Sequence, residues 1–454
     1  MKSESLTRRE FLNRTAGTAT GAATASAIIT SKAPAAGGSG KFVIGMMGTG
    51  GRGNWLLGME LAKRPEVEIA YVCDVDSRAD RLGRAVKIVE DGKGRKPKAV
   101  TDFRRILDDK NVDALFICTP DHWHALPTVL ACQAGKDVFV EKPASHNVWE
   151  GRKMVEAARK HKRIVQLGTQ CRSAPYIHKA IEYIRSGKLG DIHLVRVLNM
   201  KRRYTIGREA DGPVPEGVNY DWWLGPAPKR PFNPNRFHYR WHWCWDYSGG
   251  DIINDGVHQI DLARWLVNKG HPKSVTSGGG MHFYDDDHET PDTQIVTWEY
   301  DKLTMVFELT LWTPYMKKTQ WNFRDTDQFP NWRYSATKVE VYGTKGLMMM
   351  SRHGGGWQVF DADGKEVASA PGRHPHSPHL DNFFECVESR KQPSADIEDG
   401  HISTVLCHLG NISYRLGGRK LLFDGKSEKF INDNEANMYL KRVPRKPWVI
   451  PEKV

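Results

Sequence analysis

The chain has 454 residues, with 66 Lys or Arg against 54 Asp or Glu and a formal charge of +12. That length holds two to three domains, and 39% hydrophobic with 10% aromatic residues can fill ordinary cores. No run approaches the roughly eighteen apolar residues of a membrane helix, so no membrane insertion is expected. Nor is any nucleic-acid module recognisable, because the basic run Lys93-Gly94-Arg95-Lys96-Pro97-Lys98 lacks interleaved aromatics and reads as a solvated loop.

In chain order, residues 1–36 read as a targeting segment. Thr7-Arg8-Arg9-Glu10-Phe11-Leu12 carries twin arginines before an apolar pair, followed by a weakly apolar stretch from Ala16 to Ile29 and by Ala33-Pro34-Ala35. This order resembles a twin-arginine export signal. The resemblance implies the twin-arginine translocation machinery as a partner, export of the folded protein and a periplasmic location.

Phe42 to Met47 reads as a buried parallel strand that runs directly into Gly48-Thr49-Gly50-Gly51-Arg52-Gly53 and an apolar-periodic helix (Trp55, Leu56, Met59, Leu61). Dinucleotide binding needs this order. The first glycine makes the tight turn, the second lets the backbone approach a pyrophosphate, and the third permits close helix–strand packing. The helix N-terminus then faces the phosphate charge. A second strand, Val67 to Cys73, ends at Asp74, where a carboxylate can accept both ribose hydroxyls and repel a 2′-phosphate. The cofactor expected is therefore NAD(H); Arg78 nearby leaves NADP(H) as the alternative.

Short apolar runs alternate with helical periods as far as about Gly168. Strands are expected at 112–117, 137–140 and 164–167, with helices at 123–132 and 149–160. Such βα units build a doubly wound parallel sheet, whose ligands bind beyond the carboxyl ends of the strands. Those ends hold Asp74, Thr119-Pro120, Glu141-Lys142-Pro143 and Gly168-Thr169-Gln170. Beyond Cys171 the texture changes. A helix at 176–186 leads into strand-like runs at 193–199, 294–300, 304–309 and 338–342, around a Trp/Pro/Asn-rich loop from Val218 to Tyr247. Helical patterns return at 379–389 and 400–416. The fold expected is α/β: a Rossmann domain over 37–170, an α+β domain with a mainly antiparallel sheet over 171–435, and a C-terminal tail over 436–454.

The seven cysteines are scattered without a C-x-x-C pair, which argues against a zinc site and a disulfide framework, and no metal is expected. His374, His376 and His379 are metal-like in composition only; their Pro-rich setting without nearby carboxylates reads as an ordinary loop.

Several motifs in order resemble the glucose–fructose oxidoreductase / inositol dehydrogenase group, the Gfo/Idh/MocA family. They are Gly48 to Gly53, Cys73-Asp74-Val75-Asp76, Thr119-Pro120-Asp121-His122-Trp123-His124, Glu141-Lys142-Pro143, and Gly249-Gly250 through Gly256-Val257-His258-Gln259-Ile260-Asp261. The resemblance implies a two-domain fold, NAD(P) binding by the first domain, and oxidation or reduction at a carbinol carbon of a sugar or cyclitol. It makes Lys142 the group that hydrogen-bonds the substrate hydroxyl and stabilises alkoxide character. It places Thr119, Pro120 and His124 on the cofactor side, with Glu141, Lys142 and Gln170 at neighbouring strand ends. Oligomerisation through the open sheet of the second domain is a further expectation from the resemblance.

His258 opens a helical pattern and can take the hydroxyl proton, since imidazole titrates near neutrality. The chain departs from the family two residues before Gly256, where it has Asn254 in place of the usual carboxylate. Asn254 can position a partner but supplies no balancing charge. Asp255 stands about 100° away around a helix and either takes over that role or faces elsewhere. The tract from Arg236 to Tyr247 is unusually aromatic, which fits either stacking on sugar faces or a packed loop. Three functions remain open: an oxidoreductase acting on a sugar, cyclitol or glycoside; a glycosidase that oxidises the sugar transiently and eliminates the aglycone; and a non-catalytic sugar-binding protein.

Overall fold

The computed structural model of the protein describes residues 40–319, 324 and 326–454. The export-signal segment at 1–36 lies outside the described residues. The chain divides into two compact units, one ending at Phe116 and the other starting at Ile117.

The first unit opens on β1 (Phe42–Met47), whose last five residues are buried. β1 pairs in parallel with β2 (Val67–Cys73), from Phe42 opposite Val67 to Met47 opposite Cys73. Near-continuous apolar runs of this kind belong to strands covered on both faces. β2 in turn pairs in parallel with β3 (Lys98–Val100). Between β1 and β2 lies helix α1 (Gly51–Met59), which buries Leu56 and Leu57. With β4 (Ala114–Ile117), β5 (Asp137–Val140) and β6 (Val165–Leu167), the described strands form one sheet in the order β3-β2-β1-β4-β5-β6.

In the second unit, helices α2 (Ala125–Gln133) and α3 (Val148–Lys160) flank β5 in the chain. Asn147 caps α3 by accepting from the Glu150 amide at 3.0 Å, satisfying one of the donors a helix start leaves open. The described strands of the larger sheet are β7 (Ile192–Met200), β8 (Ser274–Gly280), β9 (Thr293–Tyr300), β10 (Leu303–Thr310), β11 (Thr337–Gly343), β12 (Gly346–Ser351), β13 (Trp357–Phe360), β14 (Glu366–Ala370), β15 (Leu421–Asp424) and β16 (Lys429–Phe430). Their order is β14-β13-β12-β11-β7-β10-β9-β8-β15-β16. β7 and β10 run parallel, and every other neighbouring pair is antiparallel.

β10 alternates strictly between buried and half-buried residues, the mark of a sheet with one covered face. Phe307, Trp298, Val197 and Val341 from that face join a core with Val257 and Ile260 of α4 (Val257–Leu266) and Val405, Leu406 and Leu409 further on. Two more helices follow in sequence, α5 (His376–Ser389) and α6 (Ile397–Arg415).

His376 and His379 therefore stand in α5, not in a loop. Pro378 is tolerated because the first turn of a helix has no intrahelical use for its N–H. His379 packs internally, its two ring nitrogens facing Ser173 Oγ at 2.8 Å and the Leu167 carbonyl at 2.9 Å. The C-terminal segment is also packed. Trp448 meets Trp123 and Trp222 edge-on at 5.1 and 4.7 Å, and Arg442 Nε donates to Glu150 at 2.6 Å. No helix among the described residues is long and apolar enough to cross a membrane.

Candidate active site

Within the first unit, the turn after β1 is built around Gly48, whose φ of 90° is a conformation that excludes most side chains. Thr49 donates to Asp74 Oδ2 twice, from its amide at 2.6 Å and its hydroxyl at 3.0 Å. The Asp76 amide donates to Asp74 Oδ1 at 3.0 Å. Burial pushes the Asp74 carboxyl above its ordinary range, and these bonds pull it back. Asn54 Nδ2 holds the Thr49 carbonyl at 2.6 Å, and α1 begins at Gly51. A Cβ at Gly50 or Gly51 would meet nothing within 4 Å, so the turn faces open space, while Gly53 is buried. Arg52 lies over the Trp55 ring at 4.8 Å. An open glycine turn at a helix start, tied to a carboxylate at the next strand end, fits a dinucleotide. Arg78 forks onto Asp76, with Nε at 2.8 Å and Nη2 at 2.7 Å. That engagement leaves the fork turned to Asp76, and the 2′-phosphate of NADP would compete with a carboxylate.

Within the second unit, the segment after β4 places Thr119 and Pro120 ahead of a short turn, Asp121–Trp123. Thr119 Oγ1 is buried without a hydrogen-bond partner among the described residues, as a hydroxyl set for a ligand would be. His124 presents Nδ1 to the Pro143 carbonyl at 2.6 Å and Nε2 to the Thr119 carbonyl at 3.0 Å. It thus ties two strand-end loops together, and burial lowers its affinity for a proton. His122 is a packing residue against Trp223 and Tyr247, and burial pushes it down to about 3. Gln170 is buried just beyond β6. Glu141 lies against Gly168, where a Cβ would come within 2.8 Å of its carboxylate.

Lys142 follows β5, at a cis peptide bond to Pro143. Its ammonium donates to the Asn254 carbonyl at 2.5 Å and to Asn254 Oδ1 at 3.1 Å. Asn254 Nδ2 donates at 3.0 Å to Asp251, which also accepts from Arg203 Nη2 at 2.5 Å and Asn199 Nδ2 at 3.0 Å. Asn254 therefore relays Lys142 to a carboxylate one turn earlier. Burial drives the Lys142 ammonium below its usual range, with Asp121 and Glu141 opposing. Asp121, which the sequence reading did not select, is pushed up to about 7 by burial, against the pull of Lys142 and of Ser248 Oγ, which donates to it at 2.5 Å. A carboxyl titrating near neutrality beside a depressed lysine is the signature of acid–base machinery. The signal available in sequence was its place within Thr119-Pro120-Asp121.

Asp255 faces elsewhere. Residues Ile252–Gly256 form a π-helical turn, so the 100° spacing of an α-helix does not apply there. Asp255 is ion-paired to Lys201 and Arg352, with Lys318 Nζ at 3.8 Å. His258 is buried in the first turn of α4. In the aromatic tract, Trp243 and Tyr247 are core residues, whereas Tyr239 is 57% exposed. Among the described residues, no group of three or more His, Cys, Asp or Glu side chains is arranged to hold a metal.

A parallel sheet with a glycine turn after its first strand, joined to a largely antiparallel domain, with a half-buried lysine at a strand end, defines a Rossmann-type oxidoreductase architecture. Residues 42–169 match the oxidoreductase family's NAD-binding Rossmann fold, and residues 197–302 and 351–450 match the same family's C-terminal alpha/beta domain. The chain belongs to the Gfo/Idh/MocA oxidoreductase family. It is similar to the myo-inositol 2-dehydrogenase of Thermotoga maritima, 31% identical over 50% of this chain and 55% of that protein. It is also similar to a glycosyl hydrolase family 109 protein of Saccharopolyspora erythraea, 30% identical over 36% of this chain and 38% of that one. The chain thus spans about half or less of the length of these curated relatives. Among solved structures, the Bordetella pertussis WlbA dehydrogenase, in complex with NADH and UDP-GlcNAcA, aligns with a TM-score of 0.61 at 20% identity, over 85% of this chain and 99% of that one. At that identity the likeness is one of fold.

Proposed function

We propose that this protein is an NAD-dependent oxidoreductase that moves hydride to or from a carbinol carbon of a sugar, cyclitol or glycoside. The observation that carries this reading is Lys142, a strand-end lysine whose ammonium is fixed by Asn254 and flanked by Asp121. When bound, NAD supplies the hydride acceptor or donor. The chain's own groups manage the proton. Lys142 Nζ hydrogen-bonds the substrate hydroxyl and stabilises the developing alkoxide, and burial, which lowers its proton affinity, makes it a readier proton donor. Asn254 and Asp251 hold the ammonium in place, and His258 assists as the second proton-transfer group. Within the first unit, Gly48, Thr49, Gly50, Gly51, Arg52, Gly53 and Asp74 would hold the nucleotide.

The test is NADH absorbance with a panel of sugars and cyclitols, on wild type and Lys142→Met. The variant is expected to retain NAD and to lose about 10²–10⁴ in turnover. A wild type that binds no NAD, or a variant with undiminished turnover, contradicts the reading.

A second reading is the redox-assisted glycosidase, favoured by the family 109 relative. Release of a chromogenic aglycone without net change in NADH selects it over the dehydrogenase. A sugar-binding protein without turnover would leave affinity unchanged in Lys142→Met. We also propose export by the twin-arginine route and a homo-oligomeric state. Replacing Arg8 and Arg9 by Lys tests the first, through loss of the protein from the periplasmic fraction, and sedimentation tests the second.

A further inference from the structure

Among the described residues of the second unit is a group of buried and half-buried cations that outnumber the carboxylates paired with them. Asp251 is shared by Arg203 at 2.5 Å and Lys201 at 3.7 Å. Asp255 is shared by Lys201, Arg352 and, at 3.8 Å, Lys318. Among the described residues, four cations therefore divide two carboxylates. Unpaired charge held away from water is costly, and a protein avoids it unless the charge has a use. Arg203 and Arg352 each keep a buried Nε–H without a hydrogen-bond partner among the described residues. These are donors that a further acceptor would satisfy.

The group reaches solvent through two of its cations. The Lys318 side chain is 37% exposed and that of Arg203 18%. It also adjoins the reacting lysine, since Arg352 lies close enough to disfavour the charged form of Lys142. Beside it stands the aromatic tract. Arg203 Nη1 donates to Tyr239 Oη at 2.6 Å, and Trp241 and His242 stack with ring centres 3.6 Å apart.

From this charge imbalance we infer that the substrate is a sugar acid, whose ring carboxylate is received by Lys318, Arg352 and Arg203 while a ring hydroxyl faces Lys142. The inference rests on the oxidoreductase reading and names its substrate class. The carboxylate would complete the hydrogen bonding of the two guanidinium groups and offset the surplus positive charge. Charge-assisted bonds in a partly desolvated site are the strong ones, so a neutral sugar of the same shape is disfavoured: it leaves those charges uncompensated. Burial, together with the neighbouring cations, holds Lys201 and Lys318 well below their usual range; an anion would bring both back up.

The experiment is calorimetric titration of the purified full-length protein, with and without NAD, using D-glucuronate, D-galacturonate, D-glucose and glucose 6-phosphate as probes. A uronate should bind about tenfold or more tighter than glucose, with the advantage shrinking as salt rises. Lys318→Met should erase that preference and Lys318→Arg should keep most of it. Lys318 is partly exposed, so the melting temperature of both variants should stay near that of wild type. Equal binding of uronate and glucose overturns the inference, as does no binding of any probe or a preference untouched by Lys318→Met. Tighter binding of glucose 6-phosphate than of either uronate overturns the choice of carboxylate over phosphate. Absence of NAD binding would defeat the oxidoreductase reading alone, because the titrations without NAD still report the anion preference.

Discussion

Two charged clusters in the second unit contrast in a way that separates framework from site. In the first, Arg172 is fully buried and forks onto Asp261 at 2.8–3.1 Å, with Nη1 reaching Asp399 at 3.1 Å. Arg264 completes it through Asp399 at 2.7 Å and Ser403 Oγ at 2.9 Å. Two cations meet two carboxylates. Burial pushes Asp399 up, but the two arginines override it and hold its carboxyl below the usual range. In the second cluster four cations divide Asp251 and Asp255, and Lys201 and Lys318 are held well below their ordinary range by burial and by the neighbouring cations. Balanced charge that is fully hydrogen-bonded holds elements together; unbalanced charge that reaches solvent is poised for a ligand.

Breaking the balanced cluster should have the largest effect on the fold. Arg172→Met leaves Asp261 buried without its main partner and should cost about 3–5 kcal/mol of stability, read by chemical denaturation. Lys142→Met removes a cation that burial already disfavours. Its melting temperature should therefore change little, while turnover collapses; a large loss of stability would instead make Lys142 a framework residue.

Asp121 sharpens the contrast through pH. Burial raises its folded pKa from 3.8 to about 7, so its contribution to stability is fully present below about pH 4 and is lost as pH rises through about 7. Asp121→Asn should remove that decline between pH 4 and 7 in denaturation curves. It should also shift deprotonation of Lys142 to lower pH, since the carboxylate that favours the ammonium is gone. Ser248→Ala should have the smallest effect: without the hydroxyl donor the ionised carboxylate is less favoured, and the Asp121 step moves upward. A pH profile of turnover in the two variants checks both directions.

Much of this was legible in the chain. β1, β2 and β5 fall where near-continuous apolar runs end at glycine or charged residues, as strands covered on both faces do; Glu68, the charged residue within β2, is only half-buried. β3 carried no such signal; Lys98 and Ala99 are exposed, and pairing with β2 alone makes it a strand. The placement of Gly48, Asp74 and Lys142 followed from motif order, a local property. Lys201, Arg203, Lys318 and Arg352 lie beyond β7, β10 and β12, and only the sheet order brings them to one place, so no spacing in the sequence announces them. Ile252–Gly256 is a π-helical turn, whose extra residue re-aims the side chains that follow, so α-helical spacing does not decide which way Asp255 faces.

The most direct test of the account is a single-turnover measurement of NADH absorbance on NAD-loaded protein, comparing wild type with Lys142→Met on the same oxidisable sugar. The account predicts equal NAD content in the two proteins and a burst of NADH in wild type that Lys142→Met slows by about 10²–10⁴. A burst of undiminished rate in the variant would contradict it.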